Sequence, residues 1–149
     1  MKIKWLALLF LLFVLAVILA TDSGHLPLPV RILYDFPNGD KAGHFLIYGL
    51  LAFLLAAAFP RPVSWGRLSI PIVILVLMVF IATEEYSQRF FATRTADFID
   101  LICSWAGCLA GSWAAKSATH LAISSRRAAE REAPRSEADH GPDVLCQGG

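Results

Sequence analysis

Charge is scarce in this sequence. Only 17% of the 149 residues are charged, against about 25% in an ordinary soluble domain. No sign dominates either, the formal net charge being +1. No basic stripe is interleaved with aromatics, so a nucleic acid or an acidic polymer is not an expected partner. The three cysteines, Cys103, Cys108 and Cys146, form no CxxC pair, which leaves them as two small apolar residues and a tail thiol rather than a redox or zinc motif. A nucleophile motif is missing as well. Hydrophobic residues, in contrast, make up 56% of the chain, and mean hydropathy is +0.58.

The hydrophobic residues fall in four blocks. They are WLALLFLLFVLAVILAT (5–21), AGHFLIYGLLAFLLAAAF (42–59), LSIPIVILVLMVFIAT (68–83) and IDLICSWAGCLAGSWAA (99–115, or on to Ile123). A bilayer core of about 30 Å needs about 20 such residues in a helix. A soluble domain of this length could bury one such helix but not four. The expected fold is therefore all-α: a polytopic four-helix transmembrane bundle over residues 1–123. From Ser124 the composition changes to mixed charge with few large apolar residues, and residues 124–149 are expected to be a disordered tail; the minority reading is a short surface helix over Ser125–Ala133. The first block has a second reading as a cleaved secretory signal, with Lys2 and Lys4 ahead of an apolar run that ends near Ala20. Its length and Ile18 argue for a retained helix.

Basic residues orient the bundle. With the N-terminus inside, Lys2, Lys4, Arg61, Arg67, Lys116, Arg126, Arg127, Arg131 and Arg135 are cytoplasmic, and Arg31, Lys41, Arg89 and Arg94 lie outside. Both termini are thus expected in the cytoplasm.

This topology gathers three polar groups at the outer face. Asp40 and Lys41 precede the second helix, with His44 one turn inside it. Glu84, Glu85 and Gln88 end the third helix. Arg94, Asp97 and Asp100 lead into the fourth at spacings of three, which align on one side of a helix. Each group alone is explained by interfacial anchoring or by the helix dipole. Together they form a candidate pocket, because charges at the rim of a bundle are costly unless paired, and Arg94 between acids would satisfy that need. In the fourth helix, Gly107 and Gly111, with Ser104, Ala114 and Ala115, form a small-residue face. It fits close packing inside the bundle, or a homodimer or partner contact.

The segments DKAGHFLIYGLLAF and EEYSQRFFATRTADFIDLICSWAGCLAG resemble the VanZ-like family of small bacterial membrane proteins. The matching residues are Asp40, Lys41, His44, Glu85, Gln88, Arg94, Asp97, Asp100 and Gly107. Ser104 stands where the family pattern carries asparagine, and serine keeps a hydroxyl but lacks the amide's reach. The resemblance implies a protein of the bacterial inner membrane and cell envelope.

Three functions fit these residues. In the first, membrane lipids are the partner: Arg94 and Lys41 meet an anionic lipid head group while Glu85, Asp97 and Asp100 orient the basic groups, with Asp40, Gln88 and Ser104 completing the binding set. In the second, the protein is a membrane enzyme with His44 as general acid or base, oriented by Glu85 or Asp100. A variant gives Glu85, Asp97, Asp100 and His44 a divalent metal. The third is an accessory subunit that packs through the Gly107/Gly111 face. No cofactor is identified by the sequence.

Overall fold

The computed structural model describes residues 2–23, 38–65, 68–90 and 97–132. Helix α1 (Lys2–Asp22) leads, followed by α2 (Gly39–Ala58), a hairpin of β1 (Pro62–Trp65) and β2 (Leu68–Pro71), α3 (Ile72–Ser87), a 3-10 turn (Gln88–Phe90) and α4 (Phe98–Glu132). Among the described residues there are four α-helices, of which three, α1, α2 and α4, are long and apolar enough to cross a membrane. The fourth, α3, has 16 residues; at 1.5 Å per residue it spans roughly 24 Å, short of a ~30 Å hydrocarbon core.

Several boundaries differ from the expected ones. Helix α2 opens three residues early because Asn38 adopts a left-handed conformation (φ 62°, ψ 17°), one that asparagine tolerates, and its carbonyl accepts the Ala42 N–H at 3.1 Å. Residues 68–71, expected to begin the third helix, are extended and pair antiparallel with β1, Pro62 opposite Pro71 and Val63 opposite Ile70. Pro71 explains the shift: it disfavours helical conformation at Ile70 and itself has ψ 135°, so the helix starts at Ile72. At the other end, α4 continues past Ser124 to Glu132, into the stretch expected to be a disordered tail. Ala128, Ala129, Glu130, Arg131 and Glu132 are strong helix formers, and Arg126 stands four residues before Glu130. Residues 133–149 lie outside the described residues.

Helix α2 is central. It packs on α1 and α3 and most extensively on α4, and Tyr48, Leu51, Ala52, Leu54 and Leu55 on it are buried. Ala7 and Val14 of α1, Ile74, Leu77 and Ile81 of α3, and Cys108 and Ala115 of α4 join them in the core. Helices α2 and α4 run parallel in close contact. A Cβ on Gly107 would strike the backbone of Phe45, and one on Gly111 would strike the carbonyl of Gly49 and lie 3.0 Å from the Phe53 nitrogen. Gly107 and Gly111 thus pack against α2 within the chain. The outward faces are apolar: Leu9, Leu19, Val76, Val79 and Trp113 are each more than 60% exposed. Such faces suit lipid as the solvent.

Candidate functional site

The parallel pairing of α2 and α4 places their N-terminal turns side by side, and the site forms there. Asp40 and Lys41 occupy the first turn of α2. The Lys41 ammonium donates to Asp40 Oδ2 at 3.1 Å, Asp97 Oδ2 at 3.0 Å and Asp100 Oδ1 at 3.3 Å. A lysine ammonium has three N–H donors, and here each has a carboxylate. The side chain is 24% exposed and Asp100 only 11%, so the cluster sits partly out of water, where each partner offsets the cost of desolvating the others.

Asp97 does further work as the cap of α4. Its Oδ1 accepts the Ile99 N–H at 2.9 Å, one of the otherwise orphaned donors of a helix start. Its own N–H donates to Glu85 Oε1 at 2.9 Å, tying the end of α3 to the start of α4. The Ile99 N–H, and then the Lys41 ammonium, hold the Asp97 carboxyl below its ordinary value.

His44 follows Lys41 by one turn. Its Nδ1 lies 3.8 Å from Asp100 Oδ1, beyond hydrogen-bond reach, and that nitrogen is buried with no hydrogen-bond partner among the described residues. The ring stacks on Tyr48, four residues on, with planes 5° apart and centroids at 6.1 Å. Tyr48 Oη donates to Glu84 Oε2 at 3.4 Å, and Gln88 Nε2 donates to Glu84 Oε1 at 2.5 Å. A small cavity of about 30 Å³ lies between α1, α2 and α3, with Val17, Ile18, Thr21, His44, Tyr48 and Glu84 in its wall. Ser104 is 1% exposed, one turn after Asp100, and its Oγ is also without a partner. Tyr48 and Cys108 meet at 3.9 Å through the Tyr48 carbonyl and the Cys108 Sγ, so one turn earlier on both helices Ser104 is level with His44.

The structure therefore brings Asp40, Lys41, His44, Asp97 and Asp100 together, with Glu85 joined to them through the Asp97 N–H. Of the two acids proposed to orient His44, Asp100 stands beside it, whereas Glu85 holds Asp97. Among the described residues Lys41 is the cation between the acids; Arg94, expected in that place, lies outside them. Gln88 is engaged with Glu84. Glu84, expected at this face with Glu85 and Gln88, accepts from both Tyr48 and Gln88; Tyr48 is four residues after His44 and Glu84 four before Gln88, the spacing that joins side chains on one helix face. Among the described residues no three His, Cys, Asp or Glu side chains form a metal-holding group.

Chemically, the ensemble is a clamped ammonium beside a buried imidazole that retains hydrogen-bonding capacity. Neither a curated protein nor a solved structure matches the chain. A family model does: the VanZ/LLP1 model aligns with residues 5–119, covering three of the helices entirely or nearly so and the whole polar cluster, and the chain belongs to the VanZ/LLP1 family.

Proposed function

We propose that this VanZ/LLP1 protein binds the polar head group of an envelope lipid at the polar end of its helix bundle, with His44 as the receiving group. The observation that carries the reading is the buried His44 Nδ1, 3.8 Å from Asp100 and with no hydrogen-bond partner among the described residues. A buried imidazole nitrogen left unpaired is costly, and a ligand that supplies the partner recovers that cost. Lys41 has no donor to spare while it holds three aspartates, so its part is to fix the cluster. Any anionic portion of the head group falls to Arg94. The apolar outer faces of the helices give the acyl chains a path to the site.

The test is mass spectrometry of lipids retained by protein purified in mild detergent. The expected result is a lipid species present with the wild-type protein and lost in His44→Ala and Arg94→Ala. An identical lipid complement in all three proteins would overturn the proposal. The nearness of the Asp100 carboxylate to His44, 3.8 Å away, also favours a second reading, a membrane enzyme with His44 as acid or base. Turnover of a lipid-phosphate substrate that vanishes in His44→Ala supports it, and full turnover in that variant excludes it.

We place the protein in the bacterial inner membrane as a multi-pass protein with its polar cluster outward and both termini in the cytoplasm. Lys4 and Lys116 lie at the end of the bundle opposite Asp40, Asp97 and Asp100, which supports this orientation. Membrane-impermeant thiol labelling of single cysteines at positions 38 and 118 reads it directly: position 38 labels in intact cells and position 118 only after lysis. The reverse pattern refutes the orientation.

A further inference from the structure

The opposite end of the bundle carries a second feature, unrelated to the polar cluster. Between the start of α1 and the end of α2 an open groove of about 590 Å³ is lined by Lys4, Trp5, Leu8, Leu11, Leu55 and Phe59. This volume lies within the range of small-molecule sites, about 300–1,000 Å³ with mostly apolar walls and a few placed polar groups. Here the placed group is the Lys4 ammonium, held 5.5 Å from the centroid of the Phe59 ring. Exposed Lys2 and Arg61 stand two residues from Lys4 and Phe59 respectively.

Among the described residues, the charges around the groove are basic. The sequence has no aspartate or glutamate from Met1 to Thr21, from Lys41 to Thr83 or from Leu101 to Ala129. Lys2, Lys4, Arg61 and Lys116 therefore meet no nearby acid among the described residues. Lys116 instead reaches the Ser69 carbonyl at 3.5 Å, beside the hairpin. Lys41, at the other end, has three carboxylates. Phe59, the C-cap of α2, is 15 residues beyond His44, or roughly 22 Å along the helix axis, so the two features are separate.

We propose that this groove binds one anionic phospholipid, an acyl chain lying along Trp5, Leu8, Leu11 and Leu55 and the phosphate meeting Lys4 and Arg61. Unneutralised basic groups at the mouth of an apolar groove between membrane helices match the two halves of such a lipid, and a zwitterionic lipid gains less there because its own cation opposes the basic pair.

Native mass spectrometry of the full chain in detergent, titrated with phosphatidylglycerol and separately with phosphatidylcholine of the same chains, tests the proposal. One tightly bound phosphatidylglycerol is expected, with phosphatidylcholine weaker. Each basic residue near a membrane surface contributes about fivefold in affinity, so Lys4→Ala/Arg61→Ala should weaken phosphatidylglycerol by about 30-fold and bring the two lipids level. Leu8→Trp, which fills the groove and leaves the charges, should weaken both lipids. Equal binding of the two lipids by the wild-type chain, unchanged phosphatidylglycerol affinity in the double variant, or unchanged binding in Leu8→Trp would each overturn it.

Discussion

The glycines of α2 and α4 allow the closest quantitative test of the packing. Replacing a helical glycine by alanine favours the helix by about 1 kcal/mol through backbone entropy wherever the new methyl has room. At Gly43 nothing lies within 4 Å of an added Cβ, so Gly43→Ala should raise stability by about 0.5–1 kcal/mol. At Gly49 the Cβ would come 3.2 Å from the Gly107 carbonyl oxygen, a contact that a shift of a few tenths of an ångström relieves, and the two effects should nearly cancel. Gly107 and Gly111 are different. Their Cβ atoms would run into backbone, with the Phe45 carbonyl carbon at 3.0 Å and the Gly49 carbonyl carbon at 2.9 Å, and the oxygens of both carbonyls nearer still. Backbone in the middle of a helix cannot rotate aside, so α2 and α4 must separate. Overpacking of this kind costs about 1–3 kcal/mol, against the ~1 kcal/mol that alanine returns, and both variants should be net destabilised. The separation would also spread the Lys41 cluster, since its members come from the same two helices. The assay is reversible denaturation in mixed micelles followed by helical circular dichroism. The expected order of stability is Gly43→Ala above wild type, Gly49→Ala close to it, and Gly107→Ala and Gly111→Ala below. Gly111→Ala as stable as Gly43→Ala would refute the parallel, glycine-mediated contact.

Three other outcomes follow from the site. Lys41→Ala leaves Asp40, Asp97 and Asp100 facing one another without their cation, and the loss of three charge-assisted hydrogen bonds, partly screened by solvent, should lower the unfolding midpoint more than Lys2→Ala does; equal midpoints would count against the clamp. Asp97 is held below the ordinary carboxylate value by the Ile99 N–H and Lys41, so its stabilisation is complete above that ordinary value of about 3.9 and disappears as the pH falls through the lower folded-state value. Asp97→Asn should accordingly flatten the acid limb of the stability curve, and an unchanged limb would show that Asp97 is not so held. Ser104→Ala removes a hydroxyl buried without a partner, so it should be neutral or stabilising by up to about 1 kcal/mol; a loss above that value in the same denaturation assay would mean that the hydroxyl is bonded.

Hydropathy made the helices legible because four such apolar blocks together exceed what a soluble chain of this length could bury. It did not distinguish the extended residues 68–71 from helix, since Leu68, Ser69 and Ile70 are as compatible with a strand, and only the backbone restriction at Pro71 decides. The helix over 124–132 was concealed for a related reason: its residues bury nothing, so composition suggests a tail while local propensity continues the helix. At the site, separated motifs of one polar character pointed to convergence, and loop charge pointed to one end. Which charge stands at the centre could not be read that way. Lys41 occupies it because the early start of α2 puts this residue on the first turn, level with Asp97 and Asp100, and that depends on the parallel register of two helices 40 residues apart in sequence. The idle nitrogen of His44 is likewise a matter of tenths of an ångström, which no spacing rule supplies.

The central claim is that His44 receives a ligand. A structure of the protein in a disc of its native lipids measures this directly. The account predicts head-group density within hydrogen-bond reach of His44 Nδ1, about 2.6–3.2 Å, with Lys41 still clamped by its three aspartates. Closure of His44 directly onto Asp100, with no density beside the ring, would contradict it.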